Sequence, residues 1–155
     1  RRLGWETRAA DYETGTGDSS PLPPGRASFS FDRAVTEMVD YLLFVDETPL
    51  PGPVEGTSGF AEEFMRGGPF DRRGRSLRQL DLERRLMRYP CSYMIYSPVF
   101  DELPDRARDA IYRRLWQVLG GNDRSGKYSL LSENDRTAIV QILRETKPGL
   151  PEYFR

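Results

Sequence analysis

Eight arginines lie between residues 66 and 88, and they form the densest group of side chains in this sequence that could do chemistry. A guanidinium group binds carboxylates and phosphates through paired hydrogen bonds. The cluster therefore indicates recognition of an anionic group, either within this protein or on a partner. A codon preference for arginine in a GC-rich genome would account for part of it, since only Lys127 and Lys147 are lysines. The candidate binding residues are Arg72, Arg73, Arg75 and Arg78.

The distribution of charge along the chain indicates where that anionic group lies. Residues 1–63 carry 5 arginines and 12 acidic residues, a net charge of −7, whereas residues 64–88 carry 8 arginines and 3 acidic residues, a net charge of +5. We therefore expect the arginines to pair with the acidic N-terminal arm and with the short helix that precedes them. An acidic protein partner is the second interpretation, and nucleic acid or an anionic lipid is the third. The net charge of the whole chain is −1, which weighs against nucleic acid because most domains that bind it are basic.

The sequence contains no histidine, and this excludes several kinds of catalytic site from within the chain. Ser-His-Asp and Cys-His catalysis, imidazole metal sites and a histidine haem ligand all require that side chain. Adjacent carboxylates at Asp46-Glu47, Glu62-Glu63 and Asp101-Glu102 could serve acid–base chemistry, but neighbouring side chains on a helix point apart. The single cysteine, Cys91, is expected to pack as a small apolar residue. We predict no catalytic residue, no metal site and no cofactor within this chain, and we incline against an enzyme.

The segment Gly121–Tyr128 imitates a phosphate-binding loop, with a glycine, four variable residues, a second glycine and a lysine. Three features argue against nucleotide binding. Tyr128 stands where the motif needs a small hydroxyl side chain, and Asp123 would bring a carboxylate next to the phosphates. The segment also follows a predicted helix instead of a strand. We interpret it as a solvated loop between helices.

The elements that would position these side chains are predicted to be helices. We expect an all-α fold of five or six short helices in an irregular bundle with an extended N-terminal arm. Residues 1–27 are assigned to the arm, where Trp5 and Tyr12 are the expected anchors, and residues 28–155 to the helical domain. Twelve prolines and fourteen glycines imply long connections between the helices. No run of apolar residues is long enough to span a membrane.

Apolar periodicity and capping residues predict where the helices begin and end. The helix that opens at Pro104 is expected to be the longest, and Tyr153-Phe154 is expected to be a docked tail. The expected helices are, in chain order, Arg33 to about Asp46 behind an N-cap at Asp32, Thr57 or Ser58 to Arg66, a helix from Ser76 toward Tyr89, a short buried helix around Tyr93–Tyr96, Pro104–Leu119, and Glu133–Thr146 behind an N-cap at Ser132.

Four stretches of the sequence carry a resemblance to a known group of proteins: Met38–Glu47, Gly56–Phe60, Gly74–Leu82 and Tyr89–Ser97. Together they resemble the C-terminal part of uncharacterised bacterial exported proteins, some of them cytochrome-associated. The resemblance implies a periplasmic or exported location, with a cytoplasmic one still open. It also implies that the chain is part of something longer, as does the absence of an initiating methionine. Any haem of such a protein would be held upstream of this chain.

Three functions are consistent with these patterns. The first is a non-catalytic structural or protein-interaction module, a fragment or subunit of a larger bacterial assembly that contacts a protein partner or the upstream half of the same polypeptide. The second is anion or nucleic-acid binding through the Arg66–Arg88 cluster. The third is the C-terminal part of an enzyme or cytochrome whose active site lies outside this chain. The first is preferred because the chain combines an arm and an aromatic-rich tail with no catalytic group.

Overall fold

The computed structural model of the chain describes residues 26–123 and 125–154. Within these ranges the secondary structure consists of five α-helices, two short 3₁₀ helices and one isolated β-bridge. The all-α prediction is therefore confirmed. The α-helices are α1 (Arg26–Leu42), α2 (Phe60–Arg66), α3 (Pro98–Asp101), α4 (Asp105–Leu119) and α5 (Glu133–Thr146).

Helices α1, α4 and α5 form the core. Helix α1 packs against α4, and α4 packs against α5. Each helix carries apolar residues every three or four positions, so one stripe of its surface is removed from water. The buried residues of the three stripes are Phe31, Ala34, Val35, Val39 and Leu42 of α1, Ala107, Ile111, Tyr112, Leu115, Val118 and Leu119 of α4, and Ile139, Ile142 and Leu143 of α5.

Helix α5 has the predicted boundaries, because local side chains define its first turn. The Ser132 hydroxyl oxygen accepts a hydrogen bond from the Asp135 backbone N–H at 3.0 Å, and the Asp135 carboxylate accepts one from the Ser132 backbone N–H at 3.3 Å. This reciprocal cap satisfies two donors that the helix itself leaves free. Helix α4 begins one residue after the predicted Pro104 and ends where predicted. The prediction that α4 is the longest helix is wrong, since it has 15 residues and α1 has 17.

The predicted position of α1 is wrong at both ends. The helix is already formed at Arg26, six residues before the expected cap at Asp32 and inside the range assigned to the arm. It ends at Leu42, although the apolar pattern continues to Val45. The apolar residues after Leu42 belong to the following turn and not to the helix.

That turn is a Schellman motif with a phenylalanine at its left-handed position. The Val45 backbone N–H donates to the Asp40 carbonyl at 2.9 Å, and the Phe44 N–H donates to the Tyr41 carbonyl at 3.4 Å. Phe44 has φ 52°, a conformation that glycine adopts most readily. Because no glycine marks this position, the sequence carried no signal for the end of α1.

The helix predicted after Ser76 is also wrong, and residues 79–88 instead form a tight hairpin. Asp81 directs this outcome, because its Oδ1 accepts hydrogen bonds from the backbone N–H groups of Glu83 and Arg84, each at 3.1 Å. Aspartate side chains that bond the backbone in this way compete with helix formation. Three backbone hydrogen bonds close the hairpin: Asp81 N–H to Leu86 O at 3.0 Å, Leu82 N–H to Arg85 O at 3.0 Å, and Arg88 N–H to Gln79 O at 2.9 Å.

The segment between the hairpin and α4 lies on the core with only part of its apolar surface buried. The short buried helix expected around Tyr93 is a four-residue 3₁₀ helix in which Ile95 is buried and Met94 is exposed. Its Tyr96 hydroxyl lies 2.7 Å from the Thr146 hydroxyl at the end of α5. Cys91 is fully buried, which confirms its predicted packing, and burial raises the pKa of its thiol to about 12.

The tail closes the fold through Phe154, which is fully buried. Its ring centroid lies 5.0 Å from that of Trp116 and 6.0 Å from that of Tyr112, both on α4. The expected arm anchors, Trp5 and Tyr12, lie outside the described residues. A search of the described helices finds none with the length and apolar character that crossing a bilayer requires.

Candidate functional site

Residues 67–76, here called the arginine loop, connect α2 to the hairpin and fold around the side chain of Asp71. Asp71 Oδ1 accepts hydrogen bonds from the backbone N–H groups of Arg73 at 3.0 Å and Arg75 at 2.8 Å, and its Oδ2 accepts one from Arg75 Nε at 2.7 Å. The Gly74 N–H donates to the Asp71 carbonyl at 2.9 Å, and its φ of 73° lets the chain reverse there. One carboxylate therefore fixes the backbone of the whole loop.

Asp71 is buried, yet it is held in its charged form. Burial alone would raise the pKa of its carboxyl group, because it disfavours the charge. The hydrogen bonds from the Arg75 backbone and side chain and from the Arg73 backbone outweigh burial, so the pKa of Asp71 lies below its ordinary value. The guanidinium of Arg75 is consequently committed to an internal ion pair, and its side chain is only 16% exposed.

The loop is fastened to the C-terminal half of α5. Arg75 Nη2 and Arg73 Nη1 both donate to Gln141 Oε1, at 2.9 and 3.3 Å. The Arg72 backbone N–H donates to Glu145 Oε2 at 2.8 Å, while the Arg72 side chain is 92% exposed and its Nε lies 4.0 Å from that oxygen. Gln141 and Glu145 are one helical turn apart, so a single strip of α5 accepts all these bonds.

Arg78, the fourth candidate, contacts aromatic rings. Its guanidinium carbon lies 4.4 Å from the ring centroid of Tyr93 and 5.1 Å from that of Phe64, within the range of cation–π attraction. The two rings meet edge to face with centroids 5.2 Å apart. Helix α2 has no fully buried residue, so this stack is its main attachment to the rest of the protein.

The predicted pairing of the arginines with α2 is wrong within the described residues, while their predicted pairing with the N-terminal arm stays a prediction. Glu62 and Glu63 of α2 form no ion pair there, and the acidic residues of the arm lie outside the described residues. The observed carboxylate partners are Asp71 inside the loop, Glu145 of α5 and, for Arg85 of the hairpin, Asp135 at 2.7 Å. Net charge along the chain was a poor guide because one carboxylate partner lies inside the loop itself and the other two are brought close by the packing of α5.

Two of the loop arginines join Arg88 around a shallow basin of about 390 Å³, which we call the arginine basin. Three of the eight lining residues are arginines, Arg73, Arg75 and Arg88, and none is acidic. Arg73 and Arg88 have no carboxylate partner among the described residues, and Arg88 lies 5.8 Å over the ring of Tyr89. Met65 of α2 contributes an apolar wall. The basin can therefore accept carboxylate or phosphate groups beside a small apolar group.

The sequence identified the loop arginines but not the residues that complete the basin. Arg88 falls within the helix that was predicted from Ser76 toward Tyr89, whereas the hairpin places it in the lining of the same basin as Arg73. The acceptors Gln141 and Glu145 were missed, although their spacing of four places them on one face of α5. Nothing in the sequence indicated which face of α5 would meet the loop.

The segment that imitates a phosphate-binding loop is occupied by internal contacts. Lys127 Nζ lies 2.5 Å from Asp40 Oδ2, and the Tyr128 hydroxyl donates to Asp40 Oδ1 at 2.7 Å. Tyr128 is buried, so the prediction of a solvated loop is wrong at this position. Asp123 is bound by Arg114 Nη2 at 2.6 Å. The described part of the segment fastens the chain between α4 and α5 to the end of α1.

The acidic and cysteine side chains of the described residues do not gather into a group of three that could hold a metal ion. No family model matches the sequence, and no curated protein and no solved structure is significantly similar to it. Function is therefore argued from the arginine basin itself.

Proposed function

We propose that this chain is a non-catalytic protein-interaction module that binds an acidic segment of a partner protein in the arginine basin. The observation that carries the proposal is the charge of the basin, which is lined by three arginines and no acidic residue. Only Arg75 is neutralised, by Asp71, so Arg73 and Arg88 are available to a ligand. Charge-assisted bonds from guanidinium to carboxylate are stronger than neutral ones, and two nearby guanidinium groups favour a ligand with more than one carboxylate.

The rigidity of the site supports binding over a purely internal role. Asp71 and Glu145 hold the loop backbone and Gln141 holds the side chains of Arg73 and Arg75 before any ligand arrives, so little conformational entropy is lost on binding. The Met65 wall adds an apolar contact, which suits a segment that carries an apolar residue among its carboxylates. A basin of this size holds a few side chains, and the expected affinity is that of a weak, transient contact.

The test is a titration with an oligo-glutamate peptide, followed by NMR of the backbone amides. We expect saturable shifts at Gly74 and Arg88 that weaken as salt is raised, because the arginines are exposed to solvent. The double variant Arg73→Gln with Arg88→Gln should bind about tenfold more weakly, since each exposed charge pair contributes about 1 kcal/mol or less. The matched control, Arg33→Gln with Arg113→Gln, removes the same charge from α1 and α4.

Two results would contradict the proposal. Equal binding by the basin double variant and by its matched control would show that only net charge matters. Tighter binding of duplex DNA than of oligo-glutamate, lost in the same basin variant, would replace the acidic partner with nucleic acid.

A further inference from the structure

A second and larger cavity lies at the end of the helical core where α1 finishes and α5 begins. This cleft, of about 920 Å³, is bounded by the turn after α1, the tip of the hairpin and the loop before α5. Its volume falls within the range of clefts that hold small organic ligands. Its apolar lining includes Phe44, Val45, Pro49, Leu130 and Leu131. Leu130 is 79% exposed, so the cleft presents apolar surface that no described residue covers.

Three cations and three carboxylates line the cleft, and they differ in how they are paired. Each of the three cations that line it already has a carboxylate partner. Asp46 and Glu47 also line it, and neither forms an ion pair among the described residues. Glu47 accepts one hydrogen bond, from the Leu86 backbone N–H at 2.9 Å, which leaves its second oxygen available. The three ion pairs are Arg84–Asp81 at 3.8 Å, Arg85–Asp135 at 2.7 Å and Lys127–Asp40 at 2.5 Å.

Two non-glycine residues of the cleft wall have a left-handed backbone conformation, which only glycine adopts without strain. Phe44 and Asp46 have φ of 52° and 63°, in the left-handed region. A side chain there costs roughly 1 kcal/mol or more relative to glycine, and such conformations concentrate at binding sites. Both side chains line the cleft, one with an aromatic ring and the other with a carboxylate.

We propose that this cleft binds a small amphipathic cation, an organic molecule with an apolar body and an ammonium group. The apolar body lies against Phe44, Val45 and Leu130, and the ammonium group lies between the carboxylates of Asp46 and Glu47. An anionic amphiphile is disfavoured, because each lining cation already has a carboxylate partner, whereas Asp46 and Glu47 form no ion pair among the described residues. The site is separate from the arginine basin, and the two have no lining residue in common.

The experiment compares three probes of equal chain length: octylammonium, octanol and octanoate. Each probe is titrated into the 155-residue chain below the aggregation concentration of the probe, and binding is followed by NMR shifts of the Phe44 and Leu130 amides. We expect octylammonium to bind most tightly, octanol more weakly and octanoate most weakly. The difference between octylammonium and octanol should fall as salt is raised, since the carboxylates are exposed at the rim.

Isosteric variants separate the charge from the shape of the site. Asp46→Asn tolerates the left-handed backbone, and Glu47→Gln keeps an oxygen for the Leu86 N–H. Each should weaken octylammonium binding about fivefold, the effect of one solvent-exposed charge pair at contact distance, and should leave octanol unchanged. Leu130→Ala should weaken both probes about threefold through lost apolar contact. Glu63→Gln, an exposed charge on α2, is the matched control and should change neither.

Three results would overturn the proposal: octanoate binding as tightly as octylammonium, an equal effect of Glu47→Gln and Glu63→Gln, or no saturable shift with any probe. Shifts of the same amides that follow protein concentration instead of probe would also overturn it, because they would make the cleft an interface between copies of the chain.

Discussion

At the scale of single residues, the arginines of the arginine loop have different roles. Arg72 and Arg75 are three positions apart in the same loop, yet one side chain is 92% exposed and the other is 16% exposed. The burial of the side chain and the number of its hydrogen bonds distinguish a structural arginine from one that is available to a ligand. The same rule applies to aspartates: Asp46 is exposed at the rim of the cleft, while Asp71 and Asp123 are held by hydrogen bonds.

Asp123 gives a prediction at this scale for acid stability. The hydrogen bonds from the Ser125 hydroxyl and backbone, helped by Arg114, outweigh burial and lower the pKa of Asp123 to about 2 from 3.8. Because the folded pKa is the lower one, its stabilising effect is complete above the ordinary value and is lost as pH falls toward 2. We expect the difference in unfolding free energy between wild type and Asp123→Asn to shrink by about 1 kcal/mol over that range, allowing for solvent screening.

Urea unfolding curves at a series of pH values measure that difference. Asp109→Asn, which removes an exposed carboxylate of α4, serves as the control. A difference for Asp123→Asn that stays constant from neutral pH to about 2 would contradict the assigned hydrogen bonds.

At the scale of elements, the arginine loop is a structural attachment to α5 as much as a binding surface. The sequence-based view of the arginines as an internal attachment predicts that changing Arg72, Arg73 and Arg75 together to glutamine lowers stability. The structure divides them: Arg75→Gln leaves the buried carboxylate of Asp71 without its ion-pair partner, whereas Arg72→Gln removes an exposed side chain while its backbone bond to Glu145 remains.

We therefore expect Arg75→Gln to lower the unfolding free energy by roughly 2–4 kcal/mol, the cost of leaving a buried charge unpaired, and Arg72→Gln to change it by about 0.5 kcal/mol or less. Chemical denaturation of the two variants side by side is the measurement. Equal stability of the two variants would show that Asp71 does not depend on Arg75 for its burial.

The sequence predicted the features that recognisable local patterns define, and it failed for features without such a pattern. The helices α4 and α5 were located well because each has an amphipathic stripe with local boundary residues: Pro104 and Gly120 flank α4, and the Ser132–Asp135 cap begins α5. The end of α1 was not located, because it depends on the left-handed conformation of Phe44. The hairpin was not predicted, because it depends on the side chain of Asp81. Neither feature has a distinctive residue pattern. The basin was half predicted for the same reason: its loop arginines, Arg73 and Arg75, are close in sequence, while Arg88 and Met65 join them only in the folded chain.

At the scale of the whole molecule, the core depends on contacts between distant parts of the chain. Phe154 near the C-terminal end inserts against Tyr112 and Trp116 of α4, and it is as fully buried as the centre of the core. Replacing Phe154 with alanine should lower the unfolding free energy by roughly 3–5 kcal/mol, since the ring leaves a cavity in a rigid surrounding. Urea denaturation tests this, with the partly exposed Tyr153→Ala as control; a loss no larger than that of the control would show that the tail is not part of the core.

The pairing of α1 with α4 has a consequence for how the chain reaches this structure. These helices pack on each other across the long segment of residues 43–104, which contains little regular structure of its own. Closing a connection of that length costs about 2 kcal/mol more entropy than closing a five-residue loop between adjacent helices. Helical proteins normally fold quickly because their contacts are local, and this one lacks that advantage. Its folding rate should resemble that of mixed α/β domains. We expect the contact between α1 and α4 to form only after residues 43–104 have become compact.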